Sequence, residues 1–246
     1  MSDTAASPER LDIGRVLRTT VEVTRRNLGP MLLLAAIFGS LPALVIDFAA
    51  ALAHVPAQSV SLLDRSVSLV LGVILQGALI HLTLTDLDGR QSTWTQGASA
   101  GLKTFRGLLG ISFIVGAGVF LGFILFVVPG VMLGVMWCVA GPVLVSERRS
   151  LSPAFTRSAT LTRGHRWTIL ALLMIYWFSV ALIVLVVSFG LGVLIGIFAD
   201  AGSATLVGTA LASLIMGLVN GPIFAVLYTE LRRLKEGATQ IAEVFD

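Results

Sequence analysis

The chain has 246 residues, of which 56% are hydrophobic and only 13% are charged. Soluble domains carry about 25% charged residues, so a chain this apolar needs lipid as the solvent for much of its surface. A net charge of +3 would suit nucleic acid, but the basic residues cluster between apolar segments, which indicates membrane topology and no nucleic-acid partner.

The N-terminal segment is polar for nearly thirty residues. We expect residues 1–9, which are small and polar, to be disordered. Residues 10–27 have helical periodicity, with apolar side chains on one side. The other side carries Arg15, Arg18, Glu22, Arg25 and Arg26. This pattern predicts an amphipathic helix that lies on an anionic leaflet; the alternative is a helix packed on a partner.

Six apolar segments follow, and we predict that each crosses the bilayer as a helix. The spans lie at about 28–53, 67–86, 108–128, 131–145, 167–198 and 204–228. The first run is too long for a signal peptide, so we expect it to be retained. We predict a kink at 39–42, a turn at Pro129 and Gly130 between the third and fourth spans, and a tilt or kink near 190–192 in the fifth.

Two further amphipathic segments separate the pairs of spans. In residues 94–109 the predicted apolar face consists of Trp94, Ala98, Leu102, Phe105 and Leu109, opposite Gln96, Ser99, Lys103 and Arg106. In residues 151–166 it consists of Leu151, Ala154, Phe155, Ser158, Leu161 and Thr162, opposite Arg149, Arg157, Arg163 and Arg166. We therefore expect an all-α, polytopic membrane domain over residues 10–235, followed by a cytoplasmic tail at 236–246.

The placement of charge orients these spans. All but one of the 17 lysines and arginines fall in the N-terminal segment, in the links after the second and fourth spans, or at the C-terminus. Only Arg65 falls on the opposite side. The positive-inside rule then places both termini in the cytoplasm.

The order of surface helix, span and span recurs three times. An acidic residue follows a glycine nine residues later both at Gly77 and Asp86 and at Gly221 and Glu230, and a shorter copy ends at Glu147. Two spans per unit preserve orientation, so the repeats are parallel. We hypothesise a pseudo-threefold arrangement about the membrane normal; the alternative is chance resemblance between apolar helices.

Two groups of polar residues are candidate sites. Inside the spans, the candidates for an intramembrane polar site are Asp47, Gln76, His81 and Asn220. Hydrogen bonds between helices are the alternative role for the amides, and snorkelling for Asp47 and His81. At the cytoplasmic surface, the candidates for binding a lipid head group are Glu147, Arg148, Arg157 and Arg163. A solvated basic face that only sets topology is the alternative there.

Catalytic patterns are absent from the sequence. None of the histidines His54, His81 and His165 has a second metal ligand at the usual spacing. There is no nucleophile elbow and no phosphate loop. The single cysteine, Cys138, excludes an internal disulfide and suits a small core residue. We therefore predict a non-enzymatic protein without metal or cofactor.

Most of the chain resembles the membrane domain of the membrane-bound glycerophosphoryl diester phosphodiesterases, a domain that stand-alone, uncharacterised bacterial inner-membrane proteins share. The resemblance is carried by Pro129, Gly130, Trp137, Pro142, Glu147, Arg157, Ser158, Gly164 and Trp167, with Pro222, Tyr228 and Arg232 near the end. It is weaker before Leu108. In fused members a soluble metal-dependent phosphodiesterase domain follows the spans, and we expect this chain to lack that domain and its activity.

The resemblance implies an inner-membrane protein of a bacterium that acts in the sphere of lipid or envelope. We expect a scaffold or a lipid-interacting module, with membrane lipids as partners and either self-association or a partner membrane protein. The alternative is a small-solute or lipid transporter or channel with a central polar site. A water-filled axis would favour transport, and a tightly packed axis would favour the structural role.

Overall fold

The computed structural model describes residues 11–55, 57–147, 150–198 and 201–245. Regular structure in these ranges is entirely helical. The helices are α1 (Ile13–Arg26), α2 (Leu28–Ala35), a π-helical turn (Ala36–Ser40), α3 (Leu41–Leu52), α4 (Ala57–Leu87), α5 (Trp94–Leu125), α6 (Val127–Trp137), α7 (Ala140–Glu147), α8 (Leu151–Thr162), α9 (Arg166–Phe198) and α10 (Ala201–Phe245). The predicted disorder at 1–9 and the predicted roles of Arg148 and Arg149 lie outside the described residues.

Six helical stretches are long and apolar enough to cross a membrane. They are Leu28–Ala50, Ser61–Leu87, Trp94–Leu125, Val127–Glu147, Arg166–Gly190 and Ala210–Gly237. Large apolar side chains are exposed along them, such as Phe113 on α5 (77% exposed) and Phe178 on α9 (72% exposed). A soluble monomer rarely exposes so much contiguous apolar surface, so the fold is that of a multi-pass membrane protein, as predicted.

A π-helical turn interrupts the first span next to the region where the sequence predicted a kink. The π-helical turn Ala36–Ser40 comes directly before Pro42. Proline has no N–H and its ring crowds the carbonyl four residues earlier, so the hydrogen-bond ladder shifts around it. The Ser40 hydroxyl donates to the carbonyl oxygen of Ala210 on α10 at 3.0 Å. This hydrogen bond holds the π-helical turn against a neighbouring helix.

The turn between the third and fourth spans lies at Phe126, and its predicted position at Pro129 and Gly130 was wrong. Phe126 has extended backbone (φ −166°, ψ 155°) and separates α5 from α6. Pro129 and Gly130 belong to the first turn of α6. The N–H groups of a first turn have no partner within the helix, so a proline there removes no hydrogen bond.

The second amphipathic segment and the third span form one helix, α5, and its buried face differs from the prediction. Gly97, Gly101 and Leu108 are buried, whereas Trp94 and Leu102 are 43% and 58% exposed. Helix α4 approaches α5 so closely that a side chain at 101 would collide with the α4 backbone. Small residues permit such an approach between helices in lipid, so glycines and not large apolar residues mark the packed face.

Glycines at Gly-x-x-x-Gly spacing, such as Gly118 with Gly122 and Gly217 with Gly221, also lie at close helix contacts. A Cβ on Gly118 would come within 2.6 Å of the Trp137 ring, and one on Gly122 within 2.6 Å of the Gly130 Cα atom. A Cβ on Gly217 would come within 3.0 Å of a Leu75 methyl group on α4. These glycines hold the α5–α6 hairpin together and pack α10 against α4.

The last helix is longer than the sequence indicated, whereas α9 has nearly the predicted bounds of the fifth span. Helix α9 runs through 190–192 to Phe198, and α10 runs from Ala201 to Phe245 with Pro222 inside it. The segment predicted as a tail at 236–246 therefore continues the last span as helix as far as Phe245. This extension brings Glu236 close to α8.

The second helix of each hairpin lies nearer the centre of the bundle. The buried share of residues is 24%, 17% and 22% in the first, third and fifth spans, but 50%, 44% and 33% in the second, fourth and sixth. Helices α4, α7 and α10 contact one another. Their facing side chains are fully buried apolar residues, which include Leu79, Val143, Ile223 and Leu227. The interior between these helices is therefore packed with apolar side chains.

Candidate functional site at the basic end

Two surface helices and the ends of the inner helices meet at one end of the bundle, which we call the basic end. Helix α1 lies against α10 and α4, and α8 lies against α6, α7 and α10. The acidic residues Asp86, Glu147 and Glu230, which lie at or near the ends of the second, fourth and sixth spans, are all found here. Each of them contacts an arginine of a surface helix.

These contacts are ion pairs, which we call the arginine clamps. They join Arg26 Nη2 to Asp86 Oδ2 at 3.1 Å, Arg157 Nε to Glu147 Oε1 at 3.3 Å, and Arg15 Nη1 to Glu230 Oε2 at 3.7 Å. The carboxylate side chains are only 13%, 14% and 16% exposed, respectively. The contact to Asp86 lacks hydrogen-bond geometry. A carboxylate this buried is costly without a cation, so the clamps hold α1 and α8 on the bundle.

The clamp at Arg157 belongs to a larger network. Its Nη2 atom donates to Glu236 Oε1 at 2.6 Å, and Arg232 Nε donates to the other oxygen of Glu236 at 2.8 Å. The Tyr228 hydroxyl donates to Glu147 Oε1 at 3.1 Å. Charge-assisted hydrogen bonds of this kind are about twice as strong as neutral ones. They join α7, α8 and α10 at a single place.

This network alters the interpretation of the predicted head-group site. The structure brings Glu147 and Arg157 together, but two carboxylates already engage Arg157, which is 26% exposed. Arg163 is exposed at the C-terminal end of α8, and Arg148 lies outside the described residues. A lipid phosphate at Arg157 would have to displace Glu147 or Glu236. The geometry therefore favours a structural role for Arg157.

The residues predicted to form an intramembrane polar site have different surroundings in the structure. The Asn220 side-chain oxygen accepts a hydrogen bond from the Tyr176 hydroxyl on α9 at 3.0 Å. This is a hydrogen bond between helices, the alternative role that the sequence offered for this amide. His81 lies in the wall of a cleft at the basic end. Gln76 is half-buried on α4, and the side chain of Asp47 lies outside the described part of the chain.

The docking of α8 shows what several of the residues that carry the resemblance do in this fold. Its predicted inward face is confirmed, because Ala154 and Leu161 are fully buried. The buried Ser158 hydroxyl donates to the carbonyl oxygen of Met136 at 2.8 Å. Met136 lies in the last turn of α6, where carbonyl groups lack partners within the helix. Ser158 thus supplies a missing hydrogen bond where the fourth span breaks.

The ends of α6 and α8 explain three more of these residues. The Trp137 ring packs edge-on against Phe155, with ring centroids 5.1 Å apart. Gly164 follows α8 with a φ of 91°, a backbone conformation that favours glycine. Trp167, at the start of α9, is 71% exposed, as expected for an aromatic side chain at a membrane interface.

A cleft with a volume of about 1220 Å³ opens beside the clamps, between α4, α5, α7 and α8. Its walls include His81, Arg90 and Lys103. The sequence showed the polar face of α5 that forms one wall. The sequence did not indicate that the start of α8 forms the opposite wall, because α5 and α8 are distant in the chain and meet only through packing. Within the described residues, no cluster of three histidines, cysteines or acids could hold a metal ion.

No protein family, curated protein or solved structure matches this chain. The resemblance to the phosphodiesterase membrane domain therefore stays a prediction from the residues that carry it.

Proposed function

We propose that this chain is a non-enzymatic inner-membrane protein that gathers anionic lipid at the cytoplasmic leaflet and acts as a lipid-interacting scaffold. The observation that carries the proposal is a stripe on α1. Arg18, Val21 and Arg25 follow helical spacing on α1, and Leu28 at the start of α2 extends the stripe. All four are exposed, Val21 by 67% and Leu28 by 43%. Alternating cationic and apolar side chains on an exposed helix face suit the boundary between head groups and acyl chains.

The clamps explain why this stripe faces outward. Arg15 and Arg26 pair with Glu230 and Asp86 and so fix the rotation of α1 on the bundle. Val16 and Val23 are fully buried beneath the helix. The arginines between these anchors, Arg18 and Arg25, remain exposed. In this proposal one side of α1 packs on the bundle and the exposed side meets the membrane interface.

Three parallel repeats around a pseudo-threefold axis form the architectural part of the proposal. The alternating burial of the spans supports it. So does the recurrence of an acidic residue, clamped by an arginine, at Asp86, Glu147 and Glu230. With both termini in the cytoplasm, all three clamps lie at the inner leaflet, where anionic lipids attract basic segments.

A test compares retained lipid in nanodiscs that contain phosphatidylglycerol and phosphatidylethanolamine. The protein is released into a native mass spectrometer as wild type, as Arg18→Ala/Arg25→Ala, and as Arg65→Ala. Arg65 is an exposed arginine at the other end of the bundle and serves as the control. Each arginine near an anionic surface contributes about 1 kcal/mol, so the double variant should retain several-fold less phosphatidylglycerol. Equal retention in all three proteins would contradict the proposal.

A transporter or channel is the alternative, and the packed interior between α4, α7 and α10 argues against a central path. Leu79, Val143 and Ile223 are fully buried there. A flux assay in proteoliposomes with Asn220→Ala would favour transport if solute movement through the wild type were lost in the variant.

A further inference from the structure

The polar face of α5 has no role in the clamps, yet it forms one wall of the cleft at the basic end. Gln96, Ser99 and Lys103 lie on this face at helical spacing and line the cleft. The end of α4 and the loop after it close one side with Thr85 and Arg90. We infer that this cleft binds a phosphate ester, with the phosphate held between Lys103 and Arg90.

Charge is the first support for this inference. Among the described residues that line the cleft there is no aspartate or glutamate, whereas Lys103 and Arg90 are both present. The structure gives Lys103 no ion-pair partner among the described residues. Arg90 contacts Asp88 at 3.6 Å, but these side chains are 76% and 67% exposed. An exposed pair of this kind contributes little, so the Arg90 guanidinium is available to a ligand.

The start of α8 provides the opposite wall. Ser150 and Ser152 line the cleft, and the Ser150 side chain makes no capping hydrogen bond to the helix. The first backbone N–H groups of a helix lack partners within it and attract anions. Pro153, the third residue of α8, has no N–H, so this helix start offers the N–H groups of Leu151 and Ser152. Lys103 and Arg90 thus share the cleft with N–H and hydroxyl groups, which can donate hydrogen bonds to phosphate oxygens.

The floor of the cleft is apolar. Leu144, Val145 and Leu151 line it together with Gly107. Gly107 follows Lys103 along α5 toward the membrane, and Leu144 precedes the clamped Glu147 on α7, so the apolar residues lie deeper than the cations. Its volume of about 1220 Å³ exceeds the usual range for small-molecule sites, roughly 300–1,000 Å³. The cleft therefore suits a phosphate with an organic group attached, either a lipid head group or a soluble phosphate ester.

The experiment uses the full chain in phosphatidylcholine nanodiscs, which contain no anionic lipid. Inorganic phosphate, glycerol 3-phosphate and dihexanoyl phosphatidic acid are titrated separately by calorimetry. Lys103→Ala should weaken binding about tenfold, the change expected from losing a charge-assisted hydrogen bond. Lys103→Glu should abolish binding. Arg106→Ala removes an exposed cation of the same helix outside the cleft and should bind like the wild type.

The three probes separate the sources of the phosphate. Binding of glycerol 3-phosphate that depends on Lys103 supports a soluble phosphate ester, and binding of dihexanoyl phosphatidic acid alone supports a lipid head group. Binding of no probe, or binding that Lys103→Glu leaves unchanged, overturns the inference. Only binding to a lipid head group would connect this cleft with the proposed lipid function. Loss of lipid retention in Arg18→Ala/Arg25→Ala would stand whichever result the cleft gives, so the two proposals fail independently.

Discussion

The variant Gly101→Ala is expected to be markedly less stable than the wild type, although it adds a single methyl group. Gly101 lies where α5 crosses α4. A Cβ there would collide with the carbonyl oxygen of Ile74 and lie 3.1 Å from the backbone nitrogen of Ala78. Backbone atoms within a helix cannot move aside as a flexible side chain can, so α4 and α5 must separate. Overpacking of this kind typically costs about 1–3 kcal/mol.

Gly116→Ala on the same helix is the matched control. A Cβ at Gly116 meets nothing within 4 Å. Alanine has a higher helix propensity than glycine by about 1 kcal/mol, so this variant should be as stable as the wild type or more so. Unfolding by dodecyl sulfate in mixed micelles, followed by circular dichroism, measures both. If Gly101→Ala unfolds at the same detergent fraction as Gly116→Ala, the close approach of α4 and α5 is wrong.

The variant Arg157→Ala should release α8 from the bundle. It leaves Glu147, which is 14% exposed, without its cation and frees Glu236 from α8. Removing one partner of a fully buried pair costs about 3–5 kcal/mol. Because Arg157 is partly exposed, we expect a smaller loss of about 2 kcal/mol in the free energy of unfolding. Arg157→Lys should recover only part of it, since an ammonium group cannot reproduce the guanidinium fork.

Hydrogen exchange gives the local readout for this variant. Peptides from Leu151–Thr162 should exchange faster in Arg157→Ala, because α8 loses its link to α7 and α10. Arg163→Ala removes an exposed arginine at the end of the same helix and should leave the exchange unchanged. Faster exchange in both variants, or in neither, would contradict the role assigned to the clamp.

The sequence predicted correctly those features that depend on residues within a single segment. The inward face of α8 was correct because Ala154, Ser158 and Leu161 follow the helical period on a segment whose other face is charged. The six spans were found because runs of apolar residues report directly on lipid. The acidic residues near the ends of the second, fourth and sixth spans were also visible in the sequence, as were the basic faces of the surface helices. The sequence did not show that these two sets of residues pair with each other.

What the sequence could not supply depends on contacts between distant segments. The predicted buried face of α5 was wrong because a search for helical periodicity looks for large apolar side chains. Gly97 and Gly101 allow close packing because they have no side chain. The pairing of Arg157 with Glu147 requires α8 to pack on α7, and its pairing with Glu236 requires α10 to continue past the predicted end of its span. The cleft likewise requires the starts of α5 and α8 to lie side by side.

The proposed lipid function requires the basic end to lie at the cytoplasmic side of the membrane, and cysteine labelling tests this placement directly. In a Cys138→Ala background, Arg18→Cys and Thr160→Cys place exposed thiols on α1 and α8, and Ala53→Cys places one beyond the first span at the other end. A membrane-impermeant maleimide is applied to intact spheroplasts and to disrupted membranes. We predict that Ala53→Cys is labelled in both, and that Arg18→Cys and Thr160→Cys are labelled only after disruption. Labelling of Arg18→Cys or Thr160→Cys in intact spheroplasts would contradict the cytoplasmic placement of the basic end and the lipid function that depends on it.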